Sequence, residues 1–134
     1  MSNKTTISGL VVHGNGFGRK LGFPTANLDN IEGTLPEAGI YACWAQLNTE
    51  RTWHQAVIHT GPRPTIHDPK IVFEVHMLDF PDRDLYGSYI TCQNFIFLRK
   101  VKNFSSLEKL KKAITADCQK TRIILENSSR RFTY

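Results

Sequence analysis

The sequence predicts a mainly β, antiparallel barrel or sandwich that ends in one α-helix, and three observations carry that expectation. Short β-branched and aromatic runs separated by Gly, Pro and Asp turns fill the first two-thirds of the 134 residues. No helical pattern interrupts them, which argues against alternating βαβ units. After Ser105 the apolar residues switch to helical spacing.

The elements follow in order. Ile7–His13 is β-branched and runs into a glycine cluster. Gly39–Leu47 follows a Pro-Glu-Ala-Gly turn, and Trp53–His59 can pair with it as a hairpin across Asn48–Thr52. Ile71–Leu78 is the clearest strand, and Tyr89–Leu98 is another long one. Leu107, Leu110, Ile114, Cys118, Thr121, Ile124 and Leu125 then lie on one side of a helix. Ser105 or Ser106 can cap it, Glu108 suits its first turn, and Lys109, Lys111, Lys112 and Lys120 take the outer face. The chain reads as one domain, residues 1–134, with a barrel over about 7–101 and a helix over about 105–125. Residues 127–134 are expected to fray.

Composition narrows the function classes. With 40% hydrophobic residues the chain can bury a core without metal or disulfide staples. Cys43, Cys92 and Cys118 are odd in number and far apart, so the expectation is three reduced thiols. No histidine pair sits at a metal-binding helical spacing. No run of eighteen apolar residues offers a membrane span, and the first residues lack a signal-peptide pattern, so a cytoplasmic location is expected. The net charge of +5 resides in the C-terminal segment. A basic segment suits nucleic acid, a solvated helix face or an anionic ligand equally well.

The chemistry concentrates in His13–Asn27. Gly14, Gly16, Gly18 and Gly22 make a flexible loop rich in backbone N–H groups, and Arg19 and Lys20 add charge for phosphate oxygens. No GK[ST] closes a Walker A pattern, and Pro24 blocks the helix of a dinucleotide fingerprint. Thr25 and Asn27 lie two apart, so on extended backbone their oxygens share a face and suit a hard cation such as Mg²⁺.

From Gly14 to Leu28 the sequence resembles the riboflavin kinase signature G-x-G-x-G-R-x-L-G-F-P-T-A-N-L. Colinear blocks continue the resemblance: Gly39–Ala42, Gly61-Pro-Arg-Pro-Thr65, Phe73-Glu-Val-His-Met-Leu-Asp-Phe80, Asp84–Gly87, Phe97–Arg99, Phe104 and a helix with Asp117. The resemblance implies a six-stranded Greek-key barrel with a C-terminal helix, and transfer of the ATP γ-phosphate to riboflavin to give FMN. It implies Thr25 and Asn27 as Mg²⁺ ligands and Glu74 as catalytic base. The loop residues Gly14, Gly16, Gly18, Arg19, Lys20, Gly22, Pro24 and Thr25 would wrap the nucleotide phosphates, and Arg99, Phe104 and Leu110 would wall the flavin. Riboflavin and ATP are then the partners, with neither nucleic acid nor membrane, in a monomer or a chain fused to an FAD synthetase domain.

Read without the resemblance, Glu74 is a charge on the solvent face of an alternating strand. The chain departs from the family pattern at His59 (often Asn), Val101 (commonly Glu) and Ala113 (commonly Gln). His59 and Val101 support a second reading, a flavin-binding regulatory module with weak turnover. A third is a single-stranded nucleic-acid barrel using Trp44, Trp53, Phe95 and the basic helix.

Overall fold

A computed structural model describes residues 5–14 and 16–126 of the chain, without the side chains of Ile66, Asp68 and Pro69. Six antiparallel strands form a closed barrel: β1 (Thr6–Val12), β2 (Ala26–Glu32), β3 (Gly39–Leu47), β4 (His54–Arg63), β5 (Asp68–Met77) and β6 (Tyr89–Arg99). The order round the ring is β1-β2-β5-β4-β3-β6. Strands β3, β4 and β5 make a meander, and β6 returns beside β3, which is the Greek-key arrangement. Closure leaves no strand edge open for pairing with another chain.

Strand β3 has the bounds the sequence suggests, and the β3–β4 hairpin forms. Two corrections concern the other strands. β4 runs on to Arg63 and β5 begins at Asp68, so only a 3-10 turn, Pro64–Ile66, and His67 separate them. Strand β2 has no counterpart in the apolar pattern, because Asp29, Asn30 and Glu32 give it a half-exposed, polar second half. Pairing with β1 on one side and with β5 through Ala26↔Val75 and Asn27↔Glu74 on the other holds it in the ring.

Pleating gives the barrel two faces. Ile7, Leu28, Tyr41, Ile58, Phe73, Val75 and Ile90 fill the interior. Cys43 and Cys92 sit there too, and burial pushes the Cys43 thiol well up, with Cys92 as its hydrogen-bond neighbour. All three cysteines are free and buried, and burial pushes Cys118 up to about 11.

The outer face of β3 and β4 is roofed by α2 (Leu107–Glu126). Its start is capped by Ser106, whose Oγ accepts from the Lys109 N–H at 3.2 Å. Cys118 and Ile114 pack with Ile40, Val57, Leu78, Phe23 and Leu98, and Leu125 with Ala42 and Trp44. Burying one such leucine stabilises the docking by about 1.5–3 kcal/mol. The helical stripe needs correction at its start, where Leu107 is half exposed, and at Asp117, which is buried beside it; Thr121 is fully buried, as the spacing suggests. The lysines 109, 111, 112 and 120 are exposed. The expectation for 127–134 falls outside the described residues.

Candidate active site

Register places the candidate residues in one row. Directly paired residues share a face, and Asn27↔Glu74, Glu74↔His59, His59↔Ile40 and Ile40↔Arg99 are consecutive pairs across β2, β5, β4, β3 and β6. All five side chains therefore lie on the outer face. Glu74 stands on the side that strand alternation assigns to solvent, yet it is only 8% exposed. The Arg63 and Thr25 side chains, which lie against its carboxylate, explain the difference.

Two cavities flank this row. An apolar one lies between barrel and α2, lined by Phe23, Ile40, Val57, His59, Arg63, Glu74, Arg99, Phe104, Leu110 and Asp117, among others. A polar one lies beneath the glycine loop, lined by His13, Gly14, Gly16, Arg19, Pro24, Asn27, Asp82, Arg83 and Tyr86, among others. Thr25 lines both, and no other described residue does. Its hydroxyl donates to Glu74 Oε2 at 3.4 Å. The boundary between the cavities is thus a hydroxyl against a carboxylate.

The glycine loop is more ordered than its composition suggests. Phe17–Lys20 forms a single helical turn, α1, where irregular backbone is expected. Two glycines are required by close approach. A Cβ on Gly14 would overlap the Asn27 side-chain amide, and one on Gly18 would meet the Phe23 carbonyl at 2.6 Å and Thr25 Oγ at 3.3 Å. The loop backbone therefore lies directly against the two residues with suitable cation-binding oxygens. Lys20 and Gly22 are exposed and line neither cavity. Arg19 lines the polar cavity and is paired with Asp82 at 2.7 Å.

Arg99, Phe104 and Leu110 all line the apolar cavity. Arg99 is held by a forked ion pair, Nε and Nη2 donating to buried Asp117 at 2.8–3.2 Å. Its guanidinium also lies over the Phe104 ring, 5.4 Å from the centroid. The Phe104 N–H donates to Thr65 Oγ at 3.0 Å, which ties the β4–β5 turn to the segment before α2.

Two histidines complete the wall. The His59 ring Nε2 donates to the Pro62 carbonyl at 2.8 Å, and that of His76 donates through Nδ1 to the Pro24 carbonyl at 2.7 Å. A carbonyl only accepts, so each bond fixes the tautomer of the neutral ring. Burial lowers both pKa values below 6.5. His76 thereby anchors the Pro24-Thr25 segment to β5.

Sequence reasoning gave Arg63 no role. Its Nη1 donates to Glu74 Oε2 at 3.0 Å, and the two side chains are only 13% and 10% exposed. The signal was present: a buried carboxylate in an apolar strand needs a cation, and Arg63 lies within a quoted motif block. Of the aromatics considered for nucleic acid, Trp44 is buried and Trp53 and Phe95 pack against core clusters. Among the described residues no three His, Cys, Asp or Glu side chains converge as a metal cluster.

The family model described as "Flavokinase: Riboflavin kinase" matches residues 1–125. The chain belongs to the riboflavin kinase family. Among curated relatives of the family, an RNA-binding riboflavin kinase of Bacillus subtilis is 40% identical over 115 residues, covering 84% of this chain and 48% of its own length. A bifunctional riboflavin kinase/FMN adenylyltransferase of Pseudomonas fluorescens is 38% identical over 126 residues, covering 93% and 40%. The chain therefore spans less than half the length of these relatives. A crystal structure of a Streptococcus pneumoniae protein named for macrolide efflux superposes with a TM-score of 0.75 at 31% identity, covering 87% of this chain and 38% of the other. Among the described residues no helix is long and apolar enough to cross a membrane. The riboflavin kinase of Trypanosoma brucei shares the fold, with a TM-score of 0.64 at 23% identity over 94% and 83%.

Proposed function

We infer that the chain is an ATP-dependent riboflavin kinase. The observation that carries this reading is the junction at Thr25 and Glu74, where an apolar cavity suited to a flat aromatic ligand meets a polar one suited to phosphates. Riboflavin takes the apolar cavity, with its ribityl chain directed along the outer-face row to Glu74. ATP takes the polar cavity, with its phosphates against the Gly14–Gly18 backbone.

Glu74 accepts the proton of the ribityl 5′-hydroxyl as that oxygen attacks the γ-phosphorus. The new P–O bond gives FMN, the bond to the bridging oxygen breaks, and ADP leaves. Such transfer relies mainly on alignment and charge neutralisation, so the base orients the hydroxyl as much as it deprotonates it. Mg²⁺, a hard cation that takes neutral oxygens plus phosphate, would be held by Thr25 Oγ and Asn27 Oδ1 and would offset phosphate charge. The close approach of Gly14 to Asn27 and of Gly18 to Thr25 supports that donor pair. Arg99 acts through Asp117, holding Phe104 and α2 as the flavin-side wall. The same reading places the protein in the cytoplasm.

The test is incubation of the pure chain with riboflavin, ATP and Mg²⁺, followed by chromatography for FMN. FMN that forms only when all three are present supports the kinase. Flavin binding without FMN would move the assignment to a regulatory module.

A further inference from the structure

The candidate base is not held symmetrically. Both of its contacts, from Arg63 Nη1 at 3.0 Å and Thr25 Oγ at 3.4 Å, fall on Oε2. Among the described residues Oε1 accepts nothing, although Glu74 lines the apolar cavity. Arg63 stands on β4 four residues beyond His59, the residue directly opposite Glu74. The β4–β5 register slips between Gly61 and Arg63, where Gly61 takes φ +125° and lies against Ala38. Bulged ladders re-aim side chains in this way, and here the guanidinium returns to the carboxylate.

We propose that Arg63 is a positioning residue, fixing Glu74 by one oxygen so that the other is presented to the acceptor hydroxyl. This rests on the riboflavin kinase reading. A buried carboxylate left without a cation would either protonate or turn toward another donor. Either change removes the lone pair that the hydroxyl needs. The Arg63 Nη1 contact holds Oε2 from one side, and the second contact, from Thr25, marks the side facing the phosphates. Glu74 is thereby aimed before any ligand arrives, and the cost of orienting it is met in folding.

The experiment is a double-mutant cycle on the full chain with Arg63→Met, Glu74→Gln and both together, read as kcat and riboflavin KM for FMN formation. Arg63→Met is expected to lower kcat about 10²-fold with KM within a few-fold of the original. In the Glu74→Gln background the same change is expected to cost nothing further, because residues acting as a unit are not additive. Arg63→Lys recovers part of the loss and carries the test if the Met variant does not fold. Thermal unfolding gives a parallel readout: Arg63→Met destabilises the chain that keeps Glu74 and is close to neutral in the Glu74→Gln chain. Losses that multiply in the double variant would overturn the proposal. So would a raised KM at unchanged kcat, which would make Arg63 a substrate-binding group. A wild-type chain that forms no FMN defeats the kinase reading and this proposal together. A wild type and an Arg63→Met variant that turn over equally defeat only the role of Arg63.

Discussion

The two faces of β5 show how one strand serves two purposes. Phe73, Val75 and Met77 point inward, are almost fully buried, and belong to the apolar core. Glu74, His76 and Leu78 alternate with them on the outer face, where Leu78 packs under α2, Glu74 against Arg63 and Thr25, and His76 against Phe23 and Pro24. The interior is filled by the barrel's own side chains, as close packing requires. The outer face is covered from a distance, and space remains between cover and strand for ligands. Val75 and Met77 also border the polar cavity, but a substitution deep in the interior, away from both cavities, should register as melting temperature, and one on the outer face as turnover.

The largest expected break in that comparison is at Glu74. Replacing it by glutamine keeps the shape and removes the base, so FMN formation should fall about 10²–10⁴-fold with riboflavin and nucleotide still bound. Turnover close to normal would take Glu74 out of the mechanism. On the inner face, Ile58→Ala, at a fully buried position, should cost about 2–5 kcal/mol of stability. Denaturant unfolding measures the loss, and the rate per folded molecule should barely change.

Asp117 tests whether the roof belongs to the outer face. Asp117→Ala removes the buried partner of Arg99 and should destabilise the chain by about 3 kcal/mol. Because Arg99 and Phe104 wall the cavity, riboflavin KM should rise as well, unlike at Ile58. Asn27→Ala should shift the Mg²⁺ titration of the rate to higher concentration, and an unchanged titration would remove Asn27 as a ligand.

The smallest effect concerns pH. Burial lowers the pKa values of His59 and His76 from 6.5. Between 6.5 and those lower values the unfolded chain binds more protons than the folded one. Their contribution to stability is therefore full above 6.5 and lost as pH falls through that window. Melting temperature followed from about pH 7.5 to about pH 5 should decline, and His76→Gln should flatten the decline. A melting temperature that rises on acidification would contradict the buried, neutral histidines.

Much of this arrangement was legible in the sequence, for identifiable reasons. Strand β3 is apolar at almost every position because both of its faces are covered, inside by the core and outside by α2. Such a run announces itself. Strand β2 is half exposed and rich in Asp and Asn, so only its pairing reveals it. Alternation placed Glu74 outward correctly, but no local pattern says that Arg63 and Thr25, from other segments, will cover it. The ion pairs Arg63–Glu74 and Arg99–Asp117 join different elements. Their partners become visible only when register and helix docking are known. Within the glycine loop the reverse holds: the motif pointed to Lys20 and Gly22 along with its neighbours, while the fold directs those two away from both cavities.

The central claim is that two ligands meet at Thr25 and Glu74 from separate cavities. Riboflavin fluorescence, titrated with the chain in the presence and absence of a non-hydrolysable ATP analogue, tests it most directly across wild type, Phe104→Ala and Gly14→Ala. The account predicts that wild type binds both together, that Phe104→Ala weakens flavin alone, and that Gly14→Ala weakens the nucleotide alone. Mutually exclusive ligands, or a Gly14 substitution that displaces flavin and spares the nucleotide, would contradict it.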